Sequence, residues 1–330
     1  MDNLGWILRI HAGSRGQATY ASVCEQLIPA QIPLYRRIGA WETVLGKRDL
    51  NVLVLEVLGD AAQEPTLENF NISAVRKVRF KCCSDTTIRA FLAQCLGIER
   101  LVFDQCTICD DQYSRLRIGD LTLKDCSCLS GVVNWSAGML RTTPLDLRLL
   151  EQASVKVSIC LILEGDPHVE LLDSDFKAIA WHRKLLSLRV ANASLGVRSL
   201  QCILTLPTYR VELENALLLR PDPSPVLSLG SRISEFDCGL DGLPEEMLIE
   251  ILNGCDQLVS IKLPECEVRE PILQAIAQMK MLRTVDISLC DISLIASADT
   301  TIPNVNIVIC HSQEPLRKDL MRIFPDWSSD

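Results

Sequence analysis

The sequence predicts an α/β repeat solenoid: short parallel strands stacked into one sheet, with helices returning the chain across its back. Two observations carry this. First, CDQLVSIKLPEC (255–266) and CLGIERLVFDQC (95–106) share the template Cys-x-x-apolar-x-x-apolar-x-apolar-x-x-Cys, and its core returns along the chain with a period in the low twenties. Self-similarity at that period marks an array of stacked units rather than a closed globule. Second, the segments between recurrences carry apolar residues at three- and four-residue spacing, the rhythm of an amphipathic helix. Within the template, x-apolar-x-apolar-x alternates. A short strand there points two side chains into the core and three outward.

Residues 1–49 do not match the template. WILRI and SVCEQLIPAQIPLYRRIGAW read as short apolar segments around a helix. The first unit of an array has no neighbour on one side and must be covered. This stretch is therefore expected to be an N-terminal cap, with an adaptor-binding module as the other reading. The array itself spans 50–310. It opens with Leu50, Leu53, Leu55 and Leu58, then Val75, Val78, Phe80 and Cys83. Ile98, Leu101, Phe103 and Cys106 follow, and then Ile118, Leu121, Leu123 and Cys126. The stretch 127–232 is irregular: LDLRLL (145–150) and CLILEGD (160–166) hold strands of uncertain register. Leu185, Leu188, Val190 and Ala193 restore the pattern, and Val211, Leu213 and Ala216 continue it weakly. RPDPSP (220–225) is a loop. Beyond it come Ile233, Phe236, Cys238 and Asp241, then Leu258, Ile261, Leu263 and Cys266. Leu282, Val285, Ile287 and Cys290 and then Ile302, Val305, Ile307 and Cys310 close the series. Helices are expected over 86–95, 244–255 and 269–279. Pro244, Glu245 and Glu246 form a favourable first turn, and Gly254 lies near the end of the second helix. Residues 311–330 read as a C-terminal capping helix. Length alone would suit about two domains of roughly 150 residues, whereas an array can run as one body.

The terminal template position is Cys six times, at 83, 106, 126, 266, 290 and 310. Cys suits a crowded turn as a small hydrophobe with a weak donor. With this spacing and these residues, 50–320 resembles the leucine-rich-repeat proteins, whose repeat reads L-x-x-L-x-L-x-x-N/C-x-L. The Cys positions and interleaved helices are similar to the cysteine-containing subclass known from eukaryotic ubiquitin-ligase receptors. The resemblance implies a horseshoe, with the parallel sheet on the concave face and helices on the convex face. It implies a protein that binds other proteins on the concave face. Fold alone does not choose the partner.

Composition narrows the function classes. A net charge of −9 and a pI near 5.1 argue against general binding to nucleic acid or anionic membranes. No apolar run reaches the ~18 residues of a transmembrane candidate, and the N-terminus lacks the basic start and long apolar stretch of a signal peptide. Fifteen cysteines, an odd number, fit reduced thiols in cytoplasm or nucleus. CTIC (106–109) and CSC (126–128) suggest zinc, but Cys83, Cys106 and Cys126 occupy one ladder position in three repeats, so no metal is expected. His11, His168, His182 and His311 are scattered. No phosphate loop, dinucleotide fingerprint or nucleophile elbow is present. No cofactor, small-molecule substrate or catalytic residue is expected. LPEEMLIEIL (243–252) opens like an F-box, yet it occupies the helix slot of a repeat.

The outward strand positions are the candidate site: Arg76, Lys77, Arg79, Lys81, Arg100, Asp104, Lys124, Lys262, Arg283 and Asp286. The cluster RKVRFK reads as a solvated basic face or, as the functional hypothesis, as a basic end that docks an acidic partner segment. The expected function is a non-catalytic protein-interaction scaffold. The alternatives are a substrate receptor of a ubiquitin ligase, or a GTPase-activating protein resembling that of Ran.

Overall fold

The computed structural model describes residues 5–11, 20–26, 34–37, 52–58, 76–93, 97–108, 117–128, 136–143, 156–177, 185–219 and 232–327. The chain divides into two compact units, Met1–Val157 and Ser158–Asp330. Both are built on parallel strands, and the fold is α/β with few helices. The expected positions Leu50, Val75 and Cys109, the strand expected at 145–150 and the loop expected over 220–225 lie outside the described residues.

In the first unit the parallel ladder runs through β1 (Gly5–His11), β4 (Val52–Leu58), β5 (Lys77–Lys81), β6 (Arg100–Asp104), β8 (Arg117–Lys124) and β10 (Ser136–Thr142). Beyond β1, the sheet is extended by β2 (Tyr20–Gln26) and β3 (Leu34–Arg37), both antiparallel. Tyr20–Gln26, within the stretch expected to hold apolar segments around a helix, is thus a strand. Pairing with the open edge of β1 satisfies a row of backbone groups that local periodicity cannot reveal. The inward residues Val78, Phe80, Leu101, Phe103, Leu121 and Leu123 are buried. Phe80 stacks on Phe103 with ring centroids 5.6 Å apart and meets Phe91 edge-on at 5.9 Å. Phe91 lies on α1 (Asp85–Leu92), whose Ile88 is also buried. Strand β10 was not expected. Its buried positions are Ala137, Leu140 and Thr142, so small and polar residues disguise the apolar rhythm.

A corner ends each strand. Cys82, Gln105 and Asp125 adopt positive φ (53°, 55° and 51°). Their turn re-aims the chain into the short strands β7 (Thr107–Ile108) and β9 (Ser127–Cys128), which pair with each other. The Cys82 amide donates to the Asp104 carbonyl at 2.9 Å, and the Gln105 amide to that of Lys124 at 2.8 Å, so the ladder continues around the corner. The next residue is the ladder cysteine. The Cys106 thiol lies 3.4 Å from the Phe80 carbonyl and that of Cys126 lies 3.6 Å from the Phe103 carbonyl, each donating to the preceding rung. That explains why cysteine recurs there.

The second unit orders β11 (Lys156–Glu164), β13 (Ser187–Ala191), β15 (Arg210–Leu219), β16 (Glu235–Asp241), β17 (Ser260–Lys262), β18 (Thr284–Asp286) and β19 (Asn306–Val308), all parallel. The short β12 (Glu170–Leu171) and β14 (Ser194–Gly196) continue the corners, with Asn192 and Asn215 at φ of 52° and 48°. The rungs Leu188/Val190, Val211/Leu213, Phe236/Cys238, Ile261/Leu263 and Val285/Ile287 are buried in register. The irregular stretch therefore holds aligned strands.

Of the helices, α2 (Asp173–Lys177) and α3 (Val197–Leu204) precede α4 (Glu245–Asn253) and α5 (Glu270–Ala277). The last two match the expected slots, with Pro244 and Gly254 at the two caps of α4. Ile251, Leu252, Ile272 and Ile276 seal the core. The repeat from Cys290 to Cys310 is four residues shorter than that from Cys266 to Cys290, and it carries only a three-residue 3-10 turn, Ile295–Ser297. Not every repeat is strand–turn–helix; the shorter period leaves no room. The C-terminal cap is a 3-10 turn, His311–Leu316, running into α6 (Arg317–Ile323), which buries Leu320 and Ile323.

Candidate functional site

The predicted residues fall on or beside the strands of both units. In the first unit, parallel register aligns Lys77 with Arg100 and Asp120, Arg79 with Val102 and Thr122, and Lys81 with Asp104 and Lys124. β10 adds Met139 beside Asp120 and Arg141 beside Thr122. Strands β5, β6, β8 and β10 thus present Lys77, Arg79, Lys81, Arg100, Lys124 and Arg141 with Asp104 and Asp120 among them, and Glu56 of β4 aligns with Arg79. Arg79 donates to Asp104 at 2.7 Å, and Arg100 lies 3.3 Å from Asp120. Both arginines are half-exposed, so such pairs are worth no more than about 1 kcal/mol each. They fix the guanidinium positions more than they hold the fold. Among the described residues, Lys77, Lys81 and Lys124 have no carboxylate partner.

Asp104 is only 6% exposed and accepts from Arg79, whose guanidinium it positions. Arg76 precedes β5 and donates to the Gly97 carbonyl at 3.1 Å, tying it to the turn before β6. Arg141 was missed with its strand.

In the second unit, one row aligns Arg189, Glu212, Asp237, Lys262 and Asp286, and the neighbouring row aligns Ser187, Arg210, Glu235, Ser260 and Thr284. Arg189 lies 3.4 Å from Glu212 and also pairs with Glu214. Arg210 lies 3.6 Å from Glu212 and 3.4 Å from Glu235, and Lys262 lies 3.7 Å from Asp237. Here carboxylates predominate and the cations are engaged. Burial pushes the Asp237 carboxyl above the usual range; Lys262 opposes this, while Glu212 and Asp286 reinforce it. Of the predicted residues, Lys262 and Asp286 lie in this row. Arg283 stands just before β18, its guanidinium 3.5 Å from the Leu282 carbonyl. Asp286 accepts from the Ser288 amide at 2.9 Å. Arg189, Glu212 and Asp237 were not singled out from sequence. Their alternation in SLRVA, RVELENALLL and EFDCGLD was the available signal.

Among the described residues, no group of three or more His, Cys, Asp and Glu side chains is placed to hold a metal ion, and no helix is long and apolar enough to cross a membrane. Neither a known family model nor any curated protein matches the chain.

Proposed function

We propose that the chain is a non-catalytic protein-interaction scaffold of leucine-rich-repeat type, intracellular, whose first unit docks an acidic protein segment on its outward sheet face. The observation that carries this is the run of uncommitted lysines, Lys77, Lys81 and Lys124, interleaved with the oriented guanidinium groups of Arg79 and Arg100. Side chains on hydrogen-bonded strands are preorganised, so a partner orders few groups on binding. An acidic peptide fits this face better than nucleic acid. Its intervening positions are Val102, Thr122 and Met139, with no aromatic platform on which bases could stack. The chain's net charge of −9 also repels a polyphosphate at long range.

The test uses the full chain and a fluorescent Glu/Asp-rich peptide, with single-stranded RNA as a second ligand. The triple variant Lys77→Glu, Lys81→Glu, Lys124→Glu should weaken peptide binding by about tenfold or more, since ~1.4 kcal/mol corresponds to a factor of ten. Binding should also fall with added salt. Equal affinity of the variant and the parent sinks the assignment, as does binding to RNA in preference to the peptide.

A further inference from the structure

The geometry points to Cys266 and Cys290 as a hydroperoxide-reactive dithiol that closes to an intramolecular disulfide between neighbouring rungs. Their Sγ atoms lie 3.9 Å apart. The backbone holds them side by side: Glu267 and Asp291 form a parallel bridge, the Asp291 amide donates to the Cys266 carbonyl at 2.9 Å, and the Val268 amide donates to the Asp291 carbonyl at 2.8 Å. Laterally opposed residues on adjacent strands fall within the Cα separation that a disulfide tolerates.

The same ladder step recurs in the first unit, where the Thr107 amide donates to the Cys83 carbonyl and the Ser127 amide to that of Cys106. Those cysteines are sealed: Cys83 is 3% exposed and Cys106 is 1%. Their burial denies access to an oxidant, and the hydrogen bond with Cys83, followed by burial, drives the Cys106 thiol strongly upward. At Cys266 the situation differs. The preceding rung ends in Asp241 and Gly242 rather than in a packed cysteine, and Cys266 is partly open to solvent. Cys290 beneath it is 7% exposed, with its thiol 3.3 Å from the Pro264 carbonyl. The hydrogen bond with Cys290 lowers the Cys266 thiol, outweighing burial, and Cys290 itself is raised by the same bond and then by burial. An accessible sulfur with thiolate character beside a protected second thiol is the arrangement of an attacking and a resolving cysteine.

The chemistry balances with a hydroperoxide as oxidant. The Cys266 thiolate attacks one peroxide oxygen and the O–O bond breaks. With hydrogen peroxide, hydroxide leaves and is protonated to water, and Cys266 becomes a sulfenic acid. The Cys290 sulfur then attacks the Cys266 sulfur, the S–O bond breaks, and the departing hydroxide takes up the Cys290 proton as water. Two thiols are oxidised to one disulfide, and one peroxide is reduced to two waters. The closed bond would join the segment between β17 and α5 to the segment that follows β18.

The test treats the full chain with hydrogen peroxide, blocks residual thiols and maps non-reduced peptides by mass spectrometry. A Cys266–Cys290 cross-linked peptide should form first, ahead of any involving Cys83 or Cys106, and dithiothreitol should reverse it. In Cys290→Ser, a dimedone adduct should accumulate on Cys266, and in Cys266→Ser none should appear on Cys290. The parent mapping requires no variant to fold. Alkylatable Cys266 and Cys290 after the exposed Cys82 has been oxidised would overturn the proposal, as would a cross-link that joins separate chains.

Discussion

Replacing Phe103 by alanine tests the inward-outward alternation on which both faces depend. The ring is fully buried at the centre of β6, stacked at 5.6 Å and 13° on Phe80, which in turn meets Phe91 of α1. Large-to-small replacement of a buried phenylalanine costs about 3–5 kcal/mol, of which the aromatic pair contributes roughly 0.5–1.5. The upper part of that range applies here, because neighbouring strands cannot collapse into the void. Hydrogen bonds flank the site on both sides, from the Cys82 amide to the Asp104 carbonyl and from the Gln105 amide to the Lys124 carbonyl, at 2.9 and 2.8 Å. Val102, one position earlier, points outward and is only half-buried, so Val102→Ala should cost less than about 1 kcal/mol. A domain is stable by about 5–15 kcal/mol in total, so Phe103→Ala should remove roughly a quarter or more of what holds the first unit. Urea titration read by amide-exchange mass spectrometry would assign the loss to each unit separately. Equal costs at positions 102 and 103, or a loss below ~1 kcal/mol at Phe103, would refute the assignment of faces.

Three further outcomes follow from particular positions. Gln105 carries a φ of 55° where Asn192 and Asn215 stand at equivalent corners. Gln105→Asn should raise the unfolding free energy from urea titration by up to about 1 kcal/mol, since asparagine tolerates the left-handed region that costs other residues roughly 1–2 kcal/mol; a fall in that free energy would count against a strained corner. A Cβ at Gly239 would sit 2.4 Å from the Leu213 carbonyl oxygen where β15 bulges against β16. Gly239→Ala should therefore destabilise the second unit by about 1–3 kcal/mol, and an unchanged melting temperature would show that the strands give way freely. Asp237, raised mainly by burial, binds its proton more tightly folded than unfolded. Its contribution therefore weakens folding as pH rises from about 4 toward neutrality. Asp237→Asn should flatten the decline in denaturation free energy over that range, whereas a steeper decline would contradict the assigned direction.

The rungs at Val78/Phe80, Leu101/Phe103, Leu121/Leu123, Ile261/Leu263 and Val285/Ile287 were readable from the chain because alternation over five residues is a local property. So were α4 and α5, where Pro244 and Gly254 mark helix ends. β10 escaped notice because a sheet accepts Ala137 and Thr142 at inward positions once its neighbours supply the apolar surface. The strands of 1–49 were read as surrounding a helix because antiparallel pairing with the β1 edge joins residues whose sequence says nothing of one another.

What the sequence by itself determined is the repeating apolar rhythm and its cysteines, and with them a stack of parallel rungs. The tertiary structure alone decided which charges meet. Arg79 reaches Asp104 and Lys262 reaches Asp237 across 25 positions each, and Cys266 comes within 3.9 Å of Cys290. It also decided that one unit carries a basic face and the other an acidic one. Periodicity specifies the side of a strand to which a residue points; strand register, set by non-local hydrogen bonds, specifies its neighbour.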